Sequence, residues 1–112
     1  MGGGTNISNL ADLTQELGSI TTRGGTYTAT EDCVMIGTFG SSTGTTARIL
    51  LNSTDATNTS NAIFEMANKT GVKIGNSTSG YGILISKGTL VYGRQTSDGS
   101  QYDLHFYKIA SS

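Results

Sequence analysis

From residue 24 onward the chain reads in twos. Short stretches alternate apolar and polar residues and are separated by Gly, Ser, Thr and Asn, the rhythm of strands joined by turns. Residues 25–29 form a threonine-rich strand. Residues 33–39 are apolar at nearly every position, as a central strand covered on both faces would be. Residues 45–52 put Ala47, Ile49 and Leu51 on one face and Arg48, Leu50 and Asn52 on the other. Ala62, Phe64 and Met66 share a face, and Val72 and Ile74 mark a short strand. Residues 81–86 group Tyr81, Ile83 and Ile85. Residues 89–94 follow a Lys87-Gly88 turn. Asp98-Gly99 favours a tight hairpin before residues 101–109, where Tyr102, Leu104 and Phe106 align. About eight strands with turn signals roughly every ten residues predict an all-β antiparallel sandwich or barrel.

The N-terminal segment breaks this rhythm. Residues 1–8 read as a leader, because Gly2, Gly3 and Gly4 cost backbone entropy to order and bury nothing. Asn9 is a good N-cap and Asp12 suits the exposed amides of a first helical turn. Leu10, Leu13 and Leu17 then fall on one helical face, Ile20 continues the spacing, and Gly18 sits where a left-handed cap belongs. The spacing predicts a leader and short helical stub over residues 1–17 and a sandwich over 18–112. Two turns do not persist alone in water, so the stub must pack on the domain or on copies of itself. Leu10, Leu13 and Leu17, with Ile109, are therefore the candidate oligomer interface.

A second irregularity points the same way. Leu50, Ile63, Leu84, Val91, Tyr107 and Ile109 fall on strand faces that should be wet. So many in 112 residues predict that sister chains cover them. Strand edges also need protection from stray pairing, and this chain has no Pro and few Lys for that purpose.

Composition narrows the function classes. The length fits one domain. Charged residues make up 13% of the chain, and the polar surface falls to thirteen Ser, eighteen Thr and seven Asn. Net charge is −1 and the cations are scattered singly, which argues against nucleic acid as partner. Apolar runs are far short of the roughly 20 residues that span a bilayer, and the N-terminus lacks the basic and apolar regions of a signal peptide. The chain is expected to be made in the cytoplasm and not to insert into membranes. Cys33 has no second cysteine to pair with and reads as a small buried hydrophobe.

Candidate chemistry is sparse. The single histidine, His105, sits in an alternating strand with its apolar neighbours facing inward, so it is expected on the surface. Glu31 and Asp32 are adjacent but project to opposite faces if in a strand. One Cys and one His are too few for a zinc site, and no glycine pattern matches a phosphate-binding loop. The expectation is no catalytic residue, no metal and no cofactor. A sugar site is harder to exclude. Tyr81, Tyr92, Tyr102 and Tyr107 lie on the C-terminal strands, flanked by Asn76, Arg94, Gln95, Asp98 and Gln101. Tyr92, Arg94, Asp98 and Tyr102 are the ligand-binding candidates.

One order of segments is more telling. Gly25-Thr-Tyr-Thr-Ala-Thr-Glu-Asp-Cys-Val-Met-Ile-Gly37 is followed by a small-residue loop and a strand ending in Asn52. Gly71-Val-Lys-Ile, Ile85-Ser-Lys-Gly-Thr-Leu-Val and the closing Phe106-Tyr-Lys-Ile109 come after. Over about residues 18–110 this resembles the small C-terminal jelly-roll modules of bacteriophage and prophage tail fibres and related virion proteins of gut bacteria. Cys33 departs from the pattern, which more often has Gly or another small residue there. The resemblance implies a jelly-roll sandwich, a homotrimer around an axis and placement on a virion or phage-like particle. It also implies recognition of a cell-surface glycan or protein receptor through variable loops. It carries over no catalytic residue. A stand-alone carbohydrate-binding sandwich is the alternative.

Overall fold

The computed structural model describes residues 10–42, 44–95 and 99–110. Among them there are nine strands and no helix. In chain order they are β1 (Ala11–Ile20), β2 (Thr26–Thr28), β3 (Cys33–Ser41), β4 (Thr46–Leu51), β5 (Ala62–Ala67), β6 (Val72–Ile74), β7 (Ile83–Ile85), β8 (Leu90–Gly93) and β9 (Ser100–Ile109). One antiparallel sheet has the order β1-β9-β3-β6, with β7 also paired to β3. The other has the order β2-β8-β4-β5. β6 pairs with Gly37–Phe39 and β7 with Cys33–Met35, so together they line one flank of β3 as an edge interrupted at residues 75–82.

The two sheets enclose one core. Cys33, Met35, Phe39, Leu104 and Phe106 from the first sheet meet Ala47, Ile49 and Val91 from the second. The period-two pattern predicts this directly, since alternate residues share a face. Two tyrosines cross the interface in opposite directions. Tyr27 of β2 stacks on Phe106 of β9, with ring centroids 4.4 Å apart. Tyr102 of β9 sends its hydroxyl to the backbone of β4 and of the residue just after β8, 2.9 Å from the carbonyls of both Arg48 and Arg94, and accepts a hydrogen bond from the Arg48 amide at 3.2 Å.

β3 is covered on its other face too. Val34, Ile36 and Ala11 are buried in a second cluster, with Tyr107 and Ile109 packed against it. The 75–82 segment lies on this cluster, because a Cβ on Gly82 would overlap the Val34 and Ile36 side chains.

The helical stub is not formed. Leu10 makes an isolated bridge to Tyr81, and β1 runs as a strand past residue 17, pairing with β9. The reason for the misleading spacing is a wide irregularity. Ala11 pairs with Ile109 and Glu16 with Tyr107, so residues 12–15 stand opposite Lys108 alone. That excursion breaks the alternation and brings the leucines to helix-like intervals. Asp12 closes it by accepting the Thr14 amide at 3.0 Å, the Thr14 hydroxyl at 2.6 Å and the Gln15 carboxamide at 2.7 Å. Gly18 is not a cap. It faces Phe106 in the ladder, and a Cβ there would overlap the Tyr27 ring. The expected leader and the Asn9 cap lie outside the described residues.

For two of the outward apolar residues, Leu50 and Val91, the expectation of cover by sister chains needs correction. Val91 faces the core and Leu50 is completely buried within the single chain. Leu50 and Tyr92 are paired across β4 and β8 on the outer side of the second sheet. On the same side the Arg94 guanidinium reaches the carbonyls of Ala56 and Thr46, which ties the 52–61 loop down over that face. Leu84, Tyr107 and Ile109 are half-buried, and Ile63 is exposed.

Candidate functional site

Alternation along β9 sends Asp103, His105, Tyr107 and Ile109 to the outer face of the first sheet. The register sets what stands beside each. Thr38 of β3 lies between Asp103 of β9 and Lys73 of β6. Ile36 is opposite His105, and Tyr107 is flanked by Val34 of β3 and Glu16 of β1. The 75–82 segment and the Leu10–Ala11 crossing cover one end of this face. Beside that cover, and walled in part by its residues 75–78, is a depression of about 350 Å³, lined by Thr38, Lys73, Asn76, Asp103, His105 and Tyr107 among others.

His105 is clamped between two carboxylates. Its Nδ1 is 3.1 Å from Glu16 Oε1 and its Nε2 is 2.7 Å from Asp103 Oδ1. An ionised carboxylate only accepts hydrogen bonds, so both contacts call for N–H donors and the arrangement suits the imidazolium. Burial opposes that charge, but the hydrogen bonds and charges of Asp103 and Glu16 outweigh it and raise the pKa above 6.5. The same carboxylates, with burial first, push the Tyr107 phenol up.

This geometry limits the chemistry. With both ring nitrogens engaged, the imidazole has no lone pair to offer a neighbouring hydroxyl, which a general base requires. The two carboxylates lie on opposite sides of the ring, and among the described residues no group of three or more His, Cys, Asp or Glu is placed to hold a metal ion. The arrangement holds charge and fixes the Asp103 carboxylate in place at the rim. Asn76 presents a similar fixed group, since its Oδ1 accepts the amides of Thr78 and Ser79 at 2.8 and 3.0 Å.

The residues expected from sequence are dispersed. Tyr102 is 5% exposed, with its hydroxyl committed to backbone as above. Tyr92 is buried, and its hydroxyl accepts the Gln95 amide at 3.3 Å. Arg94 is spent on the 52–61 loop and β4. Asp98 lies outside the described residues. Of the interface candidates, Leu10 and Ile109 lie at the same end of the β1–β9 ladder without being paired to each other: Ala110 donates to the Leu10 carbonyl at 2.8 Å, and Ala11 pairs with Ile109. Leu13 stands exposed on the β1 excursion, whereas Leu17 packs against the core. The sequence pattern hides the Glu16–His105–Asp103 grouping, because the leucine spacing assigns Glu16 to a helix instead of to the strand beside β9. The Asp-x-His spacing at 103 and 105 was the available signal, since residues two apart on a strand share a face.

No family model, curated protein or solved structure matches the chain.

Proposed function

We propose that the chain is a non-enzymatic recognition module of the jelly-roll kind, comparable to the receptor-facing modules of phage and prophage tail fibres. It assembles as a homotrimer on the surface of a virion or phage-like particle and contacts a cell-surface ligand. The strand order carries this reading. With β6 and β7 taken as one interrupted strand, β1-β9-β3-β6 facing β2-β8-β4-β5 is the alternation that two interleaved Greek keys produce. The sparsely charged, hydroxyl-rich surface supports repeated packing of like on like. Assembly would use the apolar end of the outer first-sheet face, where Ile109 packs on the Ala11, Val34 and Ile36 cluster and Leu84 pairs with Val34, with the Leu10–Tyr81 bridge at the same end. Tyr81 is 61% exposed there. Three copies then turn weak individual contacts into avidity.

Sedimentation velocity at micromolar concentration tests the assembly. The expected species is a trimer that Tyr81→Asp converts to monomer. A monomer at every concentration overturns it and leaves the stand-alone carbohydrate-binding module, which the outer-face depression favours.

A further inference from the structure

We propose that the outer-face depression over β3 and β9 binds a neutral sugar residue. In it the Asp103 carboxylate accepts the sugar hydroxyls and the Tyr107 ring lies against its C–H face. This rests on the reading of the chain as a recognition module and names the class of ligand.

Charge decides the class. The groups facing the depression or its histidine are Lys73 on β6, Asp103 and His105 on β9 and Glu16 on β1, while β3 contributes Thr38 and Ile36. With the imidazolium in its clamp, two positive groups balance two negative ones. An anion gains from Lys73 and is repelled by Asp103 at the rim, where that side chain is 64% exposed. A cation meets an Asp103 already held by His105 and a Lys73 of like sign. A neutral polyol meets neither penalty.

Form agrees with charge. At about 350 Å³ the space is at the small end of ligand pockets, which run about 300–1,000 Å³ and are mostly apolar. This one is rimmed by hydroxyl, carboxamide, ammonium and carboxylate groups with one phenol ring and one imidazole. Lys73 makes no ion pair among the described residues, so its donors are available. The Asp103 carboxylate is oriented before any ligand arrives, because His105 holds one of its oxygens at 2.7 Å and leaves the other for the ligand. Pre-orientation of this kind lowers the ordering cost of binding.

Two-dimensional amide NMR on the intact chain tests the proposal. The probes are methyl glycosides of glucose, galactose and mannose, free N-acetylglucosamine, and N-acetylneuraminic acid as the acidic comparison. A neutral probe is expected to give saturable shifts at residues 73–78 and 103–107, with a dissociation constant on the order of 1 mM. Asp103→Asn weakens that binding about tenfold or more while keeping a native spectrum. Asp55→Asn, in the 52–61 loop against the other sheet, leaves it unchanged. Binding of methyl glycosides points to the terminal residue of a glycan chain, and binding of the reducing sugar alone to a free monosaccharide. No shift with any neutral probe up to about 50 mM, shifts confined to other surfaces, unaltered affinity in Asp103→Asn, or tighter binding of the acidic sugar each overturn the proposal. A trimer that ignores sugars leaves the assembly standing without this site. A monomer that binds them here does the reverse.

Discussion

The ring of Tyr102 lies flat on Gly93. A Cβ at residue 93 would sit 3.0 to 3.2 Å from three atoms of that ring, so the glycine is what lets β9 approach β8 across the core. Gly93→Ala forces the ring away and is expected to cost about 1–3 kcal/mol. Urea denaturation measures it, and an unchanged midpoint would mean the ring has room to shift.

The two crossing tyrosines are expected to respond oppositely to loss of their hydroxyls. Tyr102→Phe strands the Arg48 amide that the hydroxyl accepts and costs about 1–3 kcal/mol. The Tyr27 hydroxyl is buried with no partner among the described residues. Tyr27→Phe therefore removes an unsatisfied group while keeping the stack on Phe106, and leaves stability unchanged or higher. Equal losses in both variants, by the same urea assay, would contradict this.

The strand assignment of β1 separates its leucines. Leu17 packs against the core and Leu13 is 37% exposed on the excursion. Leu17→Asp is expected to destabilise the fold by about 2–5 kcal/mol, in the range of core truncations, and Leu13→Asp by less than about 0.5 kcal/mol. A helix using both on one face would penalise them alike, so thermal melts of the pair discriminate.

His105 makes stability depend on pH with a definite sign. Its folded pKa is raised above 6.5, so the folded state holds the proton more tightly than the unfolded chain. The contribution is complete below 6.5 and is lost as pH rises through the folded value. Glu16 on β1, Asp103 and Tyr107 on β9 and Lys73 on β6 are the ionisable groups around it. The difference in stability between wild type and His105→Gln is expected to shrink on going from pH 6 to pH 9. A difference that grows with pH would mean the clamp holds a neutral ring.

Cys33 is completely buried. Burial, with the charges of Asp32 and Glu31, pushes its thiol up to about 11. At pH 8 the folded protein is expected to resist a thiol-specific disulfide reagent, because the thiolate is the nucleophile. The unfolded chain reacts at once. Rapid modification of the native protein would place Cys33 nearer the surface.

The sequence was most readable where one face of a strand meets the core. Ala47 and Ile49, Phe64 and Met66, and Leu104 and Phe106 declare their sides through simple alternation. Cys33 to Phe39 declares two covered faces through lack of it. Alternation fails where the backbone departs from the pleat. Residues 12–15 of β1 loop out opposite Lys108, and the leucines on either side then imitate a helix. It also fails to say what covers an outward apolar residue. Leu50 looked destined for another chain, yet it is buried within its own, beneath a face where Arg94 holds Ala56. The site was obscured for the first of these reasons. Asp103 and His105 are two residues apart, but Glu16 reaches them only once β1 is recognised as the neighbour of β9.

The meeting of Leu10 with Ala110, joined by a 2.8 Å hydrogen bond, has a mechanical consequence. Because β1 and β9 are antiparallel neighbours, a force pulling these two points apart acts crosswise on the ladder. It opens the bonds one after another, as a zipper opens, instead of loading them together in shear. The domain should therefore yield at low tension when stretched between residues 10 and 110, and withstand far more when gripped through β3.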